Sequence, residues 1–451
     1  MYRPYPKYKP TNIPWVANIP KNWGSKKLKF VSKIQPSNVD KLSKPDEIEV
    51  LLCNYVDVYK NDFINSKIPF MIATASISEI EKYSTKLGDV LITKDSETPD
   101  DIGNPAFVEE EIENLLCGYH LCQIRTNKAH ILGKYLFRLF QTDIMNAYFE
   151  SQANGVTRFG LGVDSFKNVI SILPSLQEQQ SITDFLNYKT ALIDELITKK
   201  ERLIEILQEE KTAIVNQAIT KGLNKDVKLN DSGIEWLGKI PDHWVVNKVK
   251  RVSKIFGRIG YRGYTIDDIV AEKEGAITIS PSNMIKGYLD LTKCTYLSWD
   301  KYNESEEIKI FENDILLVKT GSTIGKVAYV QNVEYPLTIN PQIAVFKNIK
   351  CLNKFLFYYI ASDFIQNQFT LSNSGSTIPT MAQEEIGNYP IPLPPIEEQT
   401  EIVTFIEKKI VFNSTTISKI ENEIELLQEY RDALISEAVT GKIDVRGNNV
   451  N

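Results

Sequence analysis

The sequence has few residues of the kinds that bind metals or form disulfides. It contains three histidines and an odd, widely spread set of cysteines: Cys53, Cys117, Cys122, Cys294 and Cys351. Such a set excludes a disulfide framework, and so few histidines leave little room for histidine-rich metal chemistry. The first ten residues, MYRPYPKYKP, have no apolar stretch typical of a signal peptide. We therefore expect a reducing, cytoplasmic location.

Long apolar runs are also missing. The longest, such as Phe355–Ile360, are far shorter than the roughly 20 residues that cross a bilayer, so we expect no membrane segment. With 42% hydrophobic and 24% charged residues, the composition of this 451-residue chain is that of a globular protein. Disordered and collagen-like classes are excluded, and the length predicts two to four domains of roughly 100–200 residues each.

Acidic residues are absent from residues 1–34, although the whole chain has a net charge of −6. This segment carries the basic residues Arg3, Lys7, Lys9, Lys21, Lys26, Lys27, Lys29 and Lys33. A second basic run consists of Lys248, Lys250, Arg251, Lys254, Arg258 and Arg262. A single run of this kind is most often a solvated surface. Two of them indicate a polyanionic partner, because such binding depends on local charge rather than on net charge.

An internal repeat organises the chain. Trp15–Pro20 with Trp23 corresponds to Trp236–Pro241 with Trp244, an offset of 221 residues (236 minus 15). Further matches follow in the same order: Val31–Ile34 with Val252–Ile255, Gly88–Lys94 with Asn313–Lys319, Asn154–Thr157 with Ser374–Thr377, Glu178–Gln179 with Glu398–Gln399, and Leu207–Glu209 with Leu427–Glu429. The second half of the chain therefore repeats the first. Between the matches, residues 35–87 and 256–312 diverge. We therefore expect the two halves to share a scaffold but to differ in the surface that reads a target.

Each half begins with short β-rich runs and ends with a helical pattern. Apolar residues recur at spacings of three, four and seven from Ile182 to Ala218, and no Pro or Gly interrupts Leu176–Lys221. The second half repeats this stripe between Pro395 and Gly441. Two long helices with an apolar stripe pair most simply as an antiparallel coiled coil. Polar residues in the predicted seam, which help to fix its register, are Lys189, Lys200 and Asn413.

The predicted fold class is α+β, with two pseudo-symmetric globular α/β domains separated by two long antiparallel helices that form a coiled coil. We expect the first domain over residues 1–174 and the first helix over 175–222. The second domain is expected over residues 223–394 and the second helix over 395–445, followed by a tail at 446–451.

Motifs of known enzymes are incomplete in this sequence. Gly321–Lys326 has three residues between its glycines and Val after the lysine, whereas a phosphate loop needs four and then Ser or Thr. Asn104–Phe107 lacks the second proline of a DNA amino-methyltransferase motif, and we interpret it as a turn. Cys117, His120 and Cys122 have no second pair to complete a zinc site, so apolar packing is the better interpretation of the thiols. We expect a chain that is not catalytic by itself.

Loops rich in glycine and hydroxyl side chains recur beside basic residues in both halves. Thr93–Ser96 and Lys319–Thr323 form one pair, and Asn154–Arg158 and Ser374–Thr377 form the other. Their amides, hydroxyls and cations suit phosphate oxygens, which set the register on a duplex without conveying sequence. Base contacts are expected from Arg258–Tyr264, since arginine pairs with guanine, although a basic surface turn explains this segment equally well.

The candidate DNA-contacting residues are therefore distributed over both halves. They are Lys26, Lys27, Lys94, Ser96, Thr157, Arg158, Lys248, Lys250, Arg258, Tyr261, Arg262, Lys319, Thr320, Ser322, Thr323, Ser374, Ser376 and Thr377. No metal site is expected among them.

With its motifs in this duplicated order, the chain resembles the specificity subunit of a type I restriction-modification system. The resemblance depends on the tandem Trp-x4-Pro-x-x-Trp segments, the Gly-Ser-Thr loops, and Pro392–Gln399 at the start of a long helix. Pro174–Gln179 is the first-half version of the last motif, with Ser175 where the second half has Pro395.

This resemblance implies two target-recognition domains that each read one part of a split, asymmetric site in double-stranded DNA. It implies that the long helices are a spacer and a docking surface for two modification (methyltransferase) subunits and for restriction (motor-nuclease) subunits. S-adenosylmethionine, ATP and Mg²⁺ are expected on those partners, and no cofactor is expected on this chain. The alternative that the residues leave open is a coiled-coil adaptor between two proteins, and an enzyme ranks third.

Overall fold

The computed structural model of this chain describes residues 2–260, 263–372 and 379–447. The chain forms two compact units, one made of Met1–Glu201 with Glu421–Asn451 and the other of Arg202–Ile420. Each unit contains one repeat and a part of each of two long helices, α6 (Leu176–Lys221) and α12 (Ile396–Val439). The predicted fold class, two α/β domains with long helices packed together, is confirmed.

The first unit is built from short strands and helices around a mixed sheet. Its strands are β1 (Tyr8–Ile13), β2 (Val16–Pro20), β3 (Gly24–Lys27), β4 (Ser32–Pro36), β5 (Ile48–Cys53), β6 (Phe63–Ile64), β7 (Met71–Ala75), β8 (Val90–Thr93), β9 (Asp95–Ser96), β10 (Pro105–Val108), β11 (Leu115–Cys117), β12 (Leu121–Thr126), β13 (Asn154–Gly155), β14 (Phe159–Gly160) and β15 (Ile170–Leu173). Besides its part of α6 and α12, its helices are α1 (Tyr55–Lys60), α2 (Ile77–Tyr83), α3 (Gly133–Phe140), α4 (Asp143–Gln152) and α5 (Val163–Lys167).

The second unit has a corresponding set of elements. Its strands are β16 (Leu229–Asp231), β17 (Lys239–Pro241), β18 (Val245–Lys248), β19 (Lys254–Gly257), β20 (Ile269–Val270), β21 (Gly275–Ile279), β22 (Met284–Ile285), β23 (Tyr288–Leu289), β24 (Thr295–Ser298), β25 (Lys309–Ile310), β26 (Ile315–Val318), β27 (Val327–Tyr329), β28 (Leu337–Ile339), β29 (Ile343–Lys347) and β30 (Pro390–Leu393). Its further helices are α7 (Val249–Val252), α8 (Trp299–Asn303), α9 (Asn353–Ala361), α10 (Asp363–Ser372) and α11 (Gln383–Asn388).

The two units share their sheet topology. The first has a sheet with strand order β4-β12-β8-β10-β6, and the second has the equivalent order β19-β29-β26-β27 without a counterpart of β6. In a further sheet, β5 pairs in parallel with β11 and antiparallel with β7, and β21 pairs in the same way with β28 and β24. The hairpin β22-β23 belongs to the second unit. The repeat seen in the sequence is therefore a repeat of topology, with differences in the divergent stretches.

The long helices pack antiparallel within each unit. In the first, Asp194 of α6 pairs with Arg431 of α12 at 2.9 Å, and Lys200 pairs with Glu423. In the second, the side-chain amide of the buried Asn413 donates to the carbonyl of Leu207. The predicted seam positions of Lys200 and Asn413 are thus confirmed. The Nζ of Lys189 lies 5.5 Å from the centre of the Tyr188 ring on its own helix, and its seam position stays a prediction.

A glycine shortly after the end of each helix lies close to a tryptophan of the repeated motif. Gly441 has φ of +74°, and a Cβ there would lie 3.0 Å from Trp23. Gly222 has φ of +72°, and a Cβ there would lie 3.2 Å from Trp244. Positive φ favours glycine because it has no side chain to clash with the backbone. The Trp-x4-Pro-x-x-Trp motif therefore forms part of the surface against which a helix end packs in each unit.

The α/β part of each unit also packs its core against the helices. In the first unit the apolar cluster includes Phe140, Phe149 and Phe166 together with Ile182 of α6 and Ile435 of α12. The corresponding cluster of the second unit joins Trp244 and Phe355 to Ile219, Ile402 and Ile406. Burial of such side chains stabilises by roughly 1.5–3 kcal/mol each. Among the residues that the structure describes, none of the helices has the length and apolarity needed to span a bilayer.

Candidate nucleic-acid interface

The two loops that recur in the sequence are neighbours in the first unit. Strand β9 pairs with β14, and the N–H of Leu161 donates to the carbonyl of Lys94 at 2.8 Å. Because β14 is antiparallel to β13, the exposed tip of that hairpin, residues 155–158, belongs to the same small sheet as β9. The structure thus brings both predicted loops of the first half together.

The second unit has the same arrangement. Thr320 forms an antiparallel bridge with Thr380, and the N–H of Met381 donates to the carbonyl of Lys319 at 2.8 Å. This hydrogen bond is equivalent to the one between Leu161 and Lys94 in the first unit. In both units the first loop thus contacts the segment that follows the second loop, although Ser374–Thr377 themselves lie outside the described residues.

A third segment joins the loops in each unit. The N–H of Lys94 donates to the carbonyl of His120 at 2.9 Å, and the N–H of Lys319 donates to that of Gln342 at 2.8 Å. We call residues 94–101, 118–120 and 154–161 the first loop cluster. Residues 319–326, 340–342 and 379–381 form the second loop cluster. Both clusters lie at the end of equivalent strands, β8 and β26.

The charge of Lys94 is balanced inside the first loop cluster. Its Nζ lies 2.8 Å from Asp95 Oδ2 and 4.7 Å from the centre of the Tyr119 ring. The same Asp95 oxygen lies 2.8 Å from Nδ1 of His120. The carboxylate, the ring and the histidine thus surround a lysine that we expected to meet phosphate.

Lys319 has a different environment in the second loop cluster. The residue is 8% exposed, and among the described residues no carboxylate lies within ion-pair distance of its Nζ. Burial lowers the pKa of its ammonium group, because the charged form loses hydration. Thr320 follows Lys319 where Asp95 follows Lys94.

The other predicted residues of the loop clusters differ in exposure. Ser96 is buried in β9, and Thr320 is half-buried at its bridge to Thr380. Because the side chain of serine is short, its buried hydroxyl cannot extend to a duplex on the surface, so we leave Ser96 out of the candidate interface. The residues that remain exposed are Thr157, Arg158, Ser322 and Thr323.

The predicted lysines of the two basic runs lie on separate small sheets. Lys26 and Lys27 are exposed on β3, which pairs with β15, and Lys27 Nζ donates to Asn168 Oδ1 at 3.1 Å. Lys248 ends β18, which pairs with β30, and Lys250 is exposed on α7. These four residues are accessible, but they do not belong to the loop clusters.

Arg258 lies in the interior of the second unit. It is 1% exposed, and its guanidinium donates from Nε to the carbonyl of Ile339 at 2.7 Å and from Nη2 to Thr338 Oγ1 at 2.8 Å. Its guanidinium carbon also lies 5.5 Å from the centre of the Tyr264 ring. A guanidinium held in this way is not available to guanine, so we leave Arg258 out of the candidate interface.

Five predicted residues lie outside the part of the chain that the structure describes. They are Tyr261, Arg262, Ser374, Ser376 and Thr377.

The structure adds residues to the first loop cluster that sequence reasoning missed. A cleft of about 200 Å³ beside it is lined by Asp40, Lys41, Asn54, Tyr55, Tyr119 and His120. In the sequence, His120 suggests only a metal ligand, and the tyrosines belong to no motif. Tyr55 lies in a stretch that diverges between the halves, so self-comparison of the sequence gave no signal for it.

The incomplete enzyme motifs have structural explanations. Cys117 and Cys122 are free and buried in β11 and β12, and burial raises the pKa of Cys122 to about 12. This confirms their interpretation as packing thiols. Lys326 Nζ donates to the carbonyl of Pro281 at 2.8 Å, so the imperfect phosphate loop has its lysine bound within the fold. No cluster of three or more metal-binding side chains occurs among the described residues.

Comparison with known proteins identifies the family of this chain. The model of the type I restriction modification DNA specificity domain matches residues 20–206 and 252–426, which together make up most of the chain. Among curated proteins, the MjaIX type I restriction enzyme specificity subunit of Methanocaldococcus jannaschii is 25% identical over 464 residues, with 97% of each chain covered.

Two solved structures share the fold. The HsdS subunit of Thermoanaerobacter tengcongensis superposes with a TM-score of 0.57 at 16% identity, covering 94% of this chain and 98% of its own. A chain from a structure on complex assembly and conformational transition of the type I R-M system reaches 0.71 at 15% identity, covering 94% and 99%. The protein therefore belongs to the DNA specificity subunits of type I restriction-modification systems, with two target-recognition domains and no catalytic activity of its own.

Proposed function

We propose that this chain reads a bipartite, asymmetric DNA site, with one half-site contacted by each recognition domain. The observation that supports this most strongly is the duplicated loop cluster at the ends of β8 and β26, which has different side chains in the two units. Equivalent scaffolds with different surfaces suit two half-sites of different sequence. The family match favours this role over the coiled-coil adaptor.

The proposed contacts with the duplex come from accessible residues in both units. Exposed hydroxyls, amides and cations at these positions can bind phosphate oxygens and fix the register of the protein on DNA. They comprise Lys26, Lys27, Thr157, Arg158, Lys248, Lys250, Ser322 and Thr323, which are exposed, and Thr320, which is half-buried. The buried Lys319, at the start of the second loop cluster, is a further candidate. The base-reading residues are proposed to lie in the divergent segments 35–87 and 256–312.

We also propose that the long helices are the docking surface for two modification subunits and for restriction subunits. Large apolar side chains on both helices are exposed, which favours a protein partner. In the first unit they include Leu192, Leu196, Leu426 and Tyr430, and in the second Leu203, Ile206, Val411 and Phe412. S-adenosylmethionine, ATP and Mg²⁺ are assigned to those partners, and the complex is assigned to the cytoplasm.

The expected domain limits remain part of the proposal. In it, residues 1–174 and 223–394 recognise DNA, and residues 175–222 and 395–445 act as the spacer. The corresponding helices end at Lys221 and Val439, so the proposed spacer segments extend slightly past them.

Mapping of DNA methylation in a host that carries this chain with its modification subunits tests the proposal. The expected result is one methylated motif with two defined parts separated by unspecified base pairs. A single uninterrupted motif would contradict one half-site per domain. A host with the modification subunits but without this chain is the control, and we expect it to lack the motif.

A further inference from the structure

The equivalent lysines Lys94 and Lys319 differ in what balances their charge. Both follow the equivalent strands β8 and β26, and the backbone N–H of each donates to the same third segment of its loop cluster. Lys94 pairs with Asp95 at 2.8 Å. Lys319 is followed by Thr320 and, among the described residues, has no acidic partner.

A second polar group beside Lys319 also has no partner. The Nε2 atom of Gln383, at the start of α11, is buried and makes no hydrogen bond. A Cβ added to Gly257, at the end of β19, would lie 2.3 Å from Gln383 Nε2 and 3.3 Å from Lys319 Cε. The two side chains therefore converge over a backbone position that has no side chain.

Leaving these two groups unpaired is unfavourable. A buried cation without a counter-charge loses hydration that nothing replaces, and an unpaired buried N–H costs roughly 1–3 kcal/mol. An anion between the ammonium and the amide would satisfy both groups, since both are donors. In the first unit, the Asp95 carboxylate already supplies such an anion to Lys94.

We propose that Lys319 and Gln383 form a binding site for one phosphate group in the second recognition domain, for which Asp95 is the internal substitute in the first. The exposed hydroxyls of Ser322 and Thr323 belong to the same loop cluster. If the bound group is a backbone phosphate of DNA, this inference rests on the proposed function. If the bound group is free phosphate, the inference is independent of the proposed function.

Substitutions that exchange the two environments test the site in the full complex with its modification subunits. Binding to DNA is measured as a function of salt concentration, where each phosphate contact contributes about 0.9 to the slope of log K against log salt. We expect Lys319→Gln and Thr320→Asp each to reduce the slope by about 0.9. Thr320→Asp keeps the lysine and supplies a carboxylate at the position of Asp95, so it controls for misfolding of the first variant.

The first unit provides the matched controls. Lys94→Gln is expected to leave the slope unchanged, because Asp95 already neutralises that lysine. Asp95→Thr is expected to increase the slope by about 0.9, because it frees Lys94 for a phosphate. Equal slope losses for Lys94→Gln and Lys319→Gln would overturn the distinction between the two units.

Inorganic phosphate identifies the source of the anion. At constant ionic strength, phosphate is expected to raise the melting temperature of the wild-type chain but not that of Lys319→Gln. If phosphate raises the melting temperature of the wild-type chain only, while the salt slopes of DNA binding are the same in all variants, the site exists and takes free phosphate. If neither measurement responds to Lys319→Gln, the proposed site is wrong. If the wild-type complex does not bind DNA, the proposed function fails, and the phosphate measurement still tests the site.

Discussion

At the scale of single residues, the repeat is most clearly preserved in two buried glutamines. Gln179 accepts the N–H of Leu132 at 2.9 Å and donates to the carbonyls of His130 and Pro174. Gln399 accepts the N–H of Leu352 at 2.8 Å in the same way. Each glutamine fastens the first turns of a long helix to its recognition domain.

Replacement of Gln179 by leucine should destabilise the first unit. The substitution leaves a partly buried N–H and two carbonyls without this partner, and we expect a loss of about 3 kcal/mol in the free energy of unfolding. Denaturant unfolding of the full chain measures this loss. Gln180→Leu is the control, since Gln180 is exposed on the same helix and should change stability by less than about 0.5 kcal/mol. Equal effects of the two substitutions would contradict the anchoring role.

Arg158 is expected to contact phosphate from the exposed hairpin of the first loop cluster. Arg158→Ala should weaken binding to all DNA sequences and reduce the salt slope by about 0.9, because one ion pair with the backbone is lost. Lys199→Ala, which removes an exposed cation on α6 that pairs with Glu195, is the control. A change in the methylated sequence instead of a uniform loss would place Arg158 at a base.

Sequence patterns predicted the position of the loop clusters better than the role of each residue in them. Repetition marked Lys94 and Lys319 as equivalent, and their backbone contacts are equivalent. Their charge environments are not. Lys94 pairs with Asp95, the next residue in the chain, whereas Thr320 follows Lys319 and the amide beside Lys319 comes from Gln383 through the tertiary fold. Arg258 shows the same limit, since a basic run in the sequence contains no signal that one of its members is buried.

At the scale of elements, the long helices were the most predictable part of the fold. Their apolar period extends over many turns, Pro394 and Pro395 precede α12, and glycines follow both helix ends. The strand order was not predictable, because pairs such as β12 with β4 join residues far apart in the chain. Most strands are short, so the local pattern alone does not define their partners.

Lengthening both helices tests the proposed spacer. We suggest the insertion of seven residues after Glu201 in α6 and seven after Ile420 in α12, which preserves the phase of the antiparallel pair. At 1.5 Å per residue this adds about 10.5 Å, and the gap between half-sites should grow by about 3 base pairs of roughly 3.4 Å each. Methylation mapping measures the gap. Unchanged spacing with both half-sites retained would contradict the spacer role.

At the scale of the whole molecule, duplication explains, in the proposed function, how one chain can carry two specificities. The first unit contains both ends of the described chain, where the N–H of Asp444 donates to the carbonyl of Arg3 at 2.7 Å. Each unit has its own apolar clusters and its own loop cluster. The central claim is therefore that each recognition domain reads its half-site independently of the other.

Exchange of one recognition domain tests this claim most directly. In the chimera, residues 223–394 are replaced by the corresponding domain of the MjaIX specificity subunit, and methylation is mapped in a host with the native modification subunits. The account predicts that one part of the methylated motif changes while the other part is retained. A change in both parts, or in neither part of a motif that is still methylated, would contradict it.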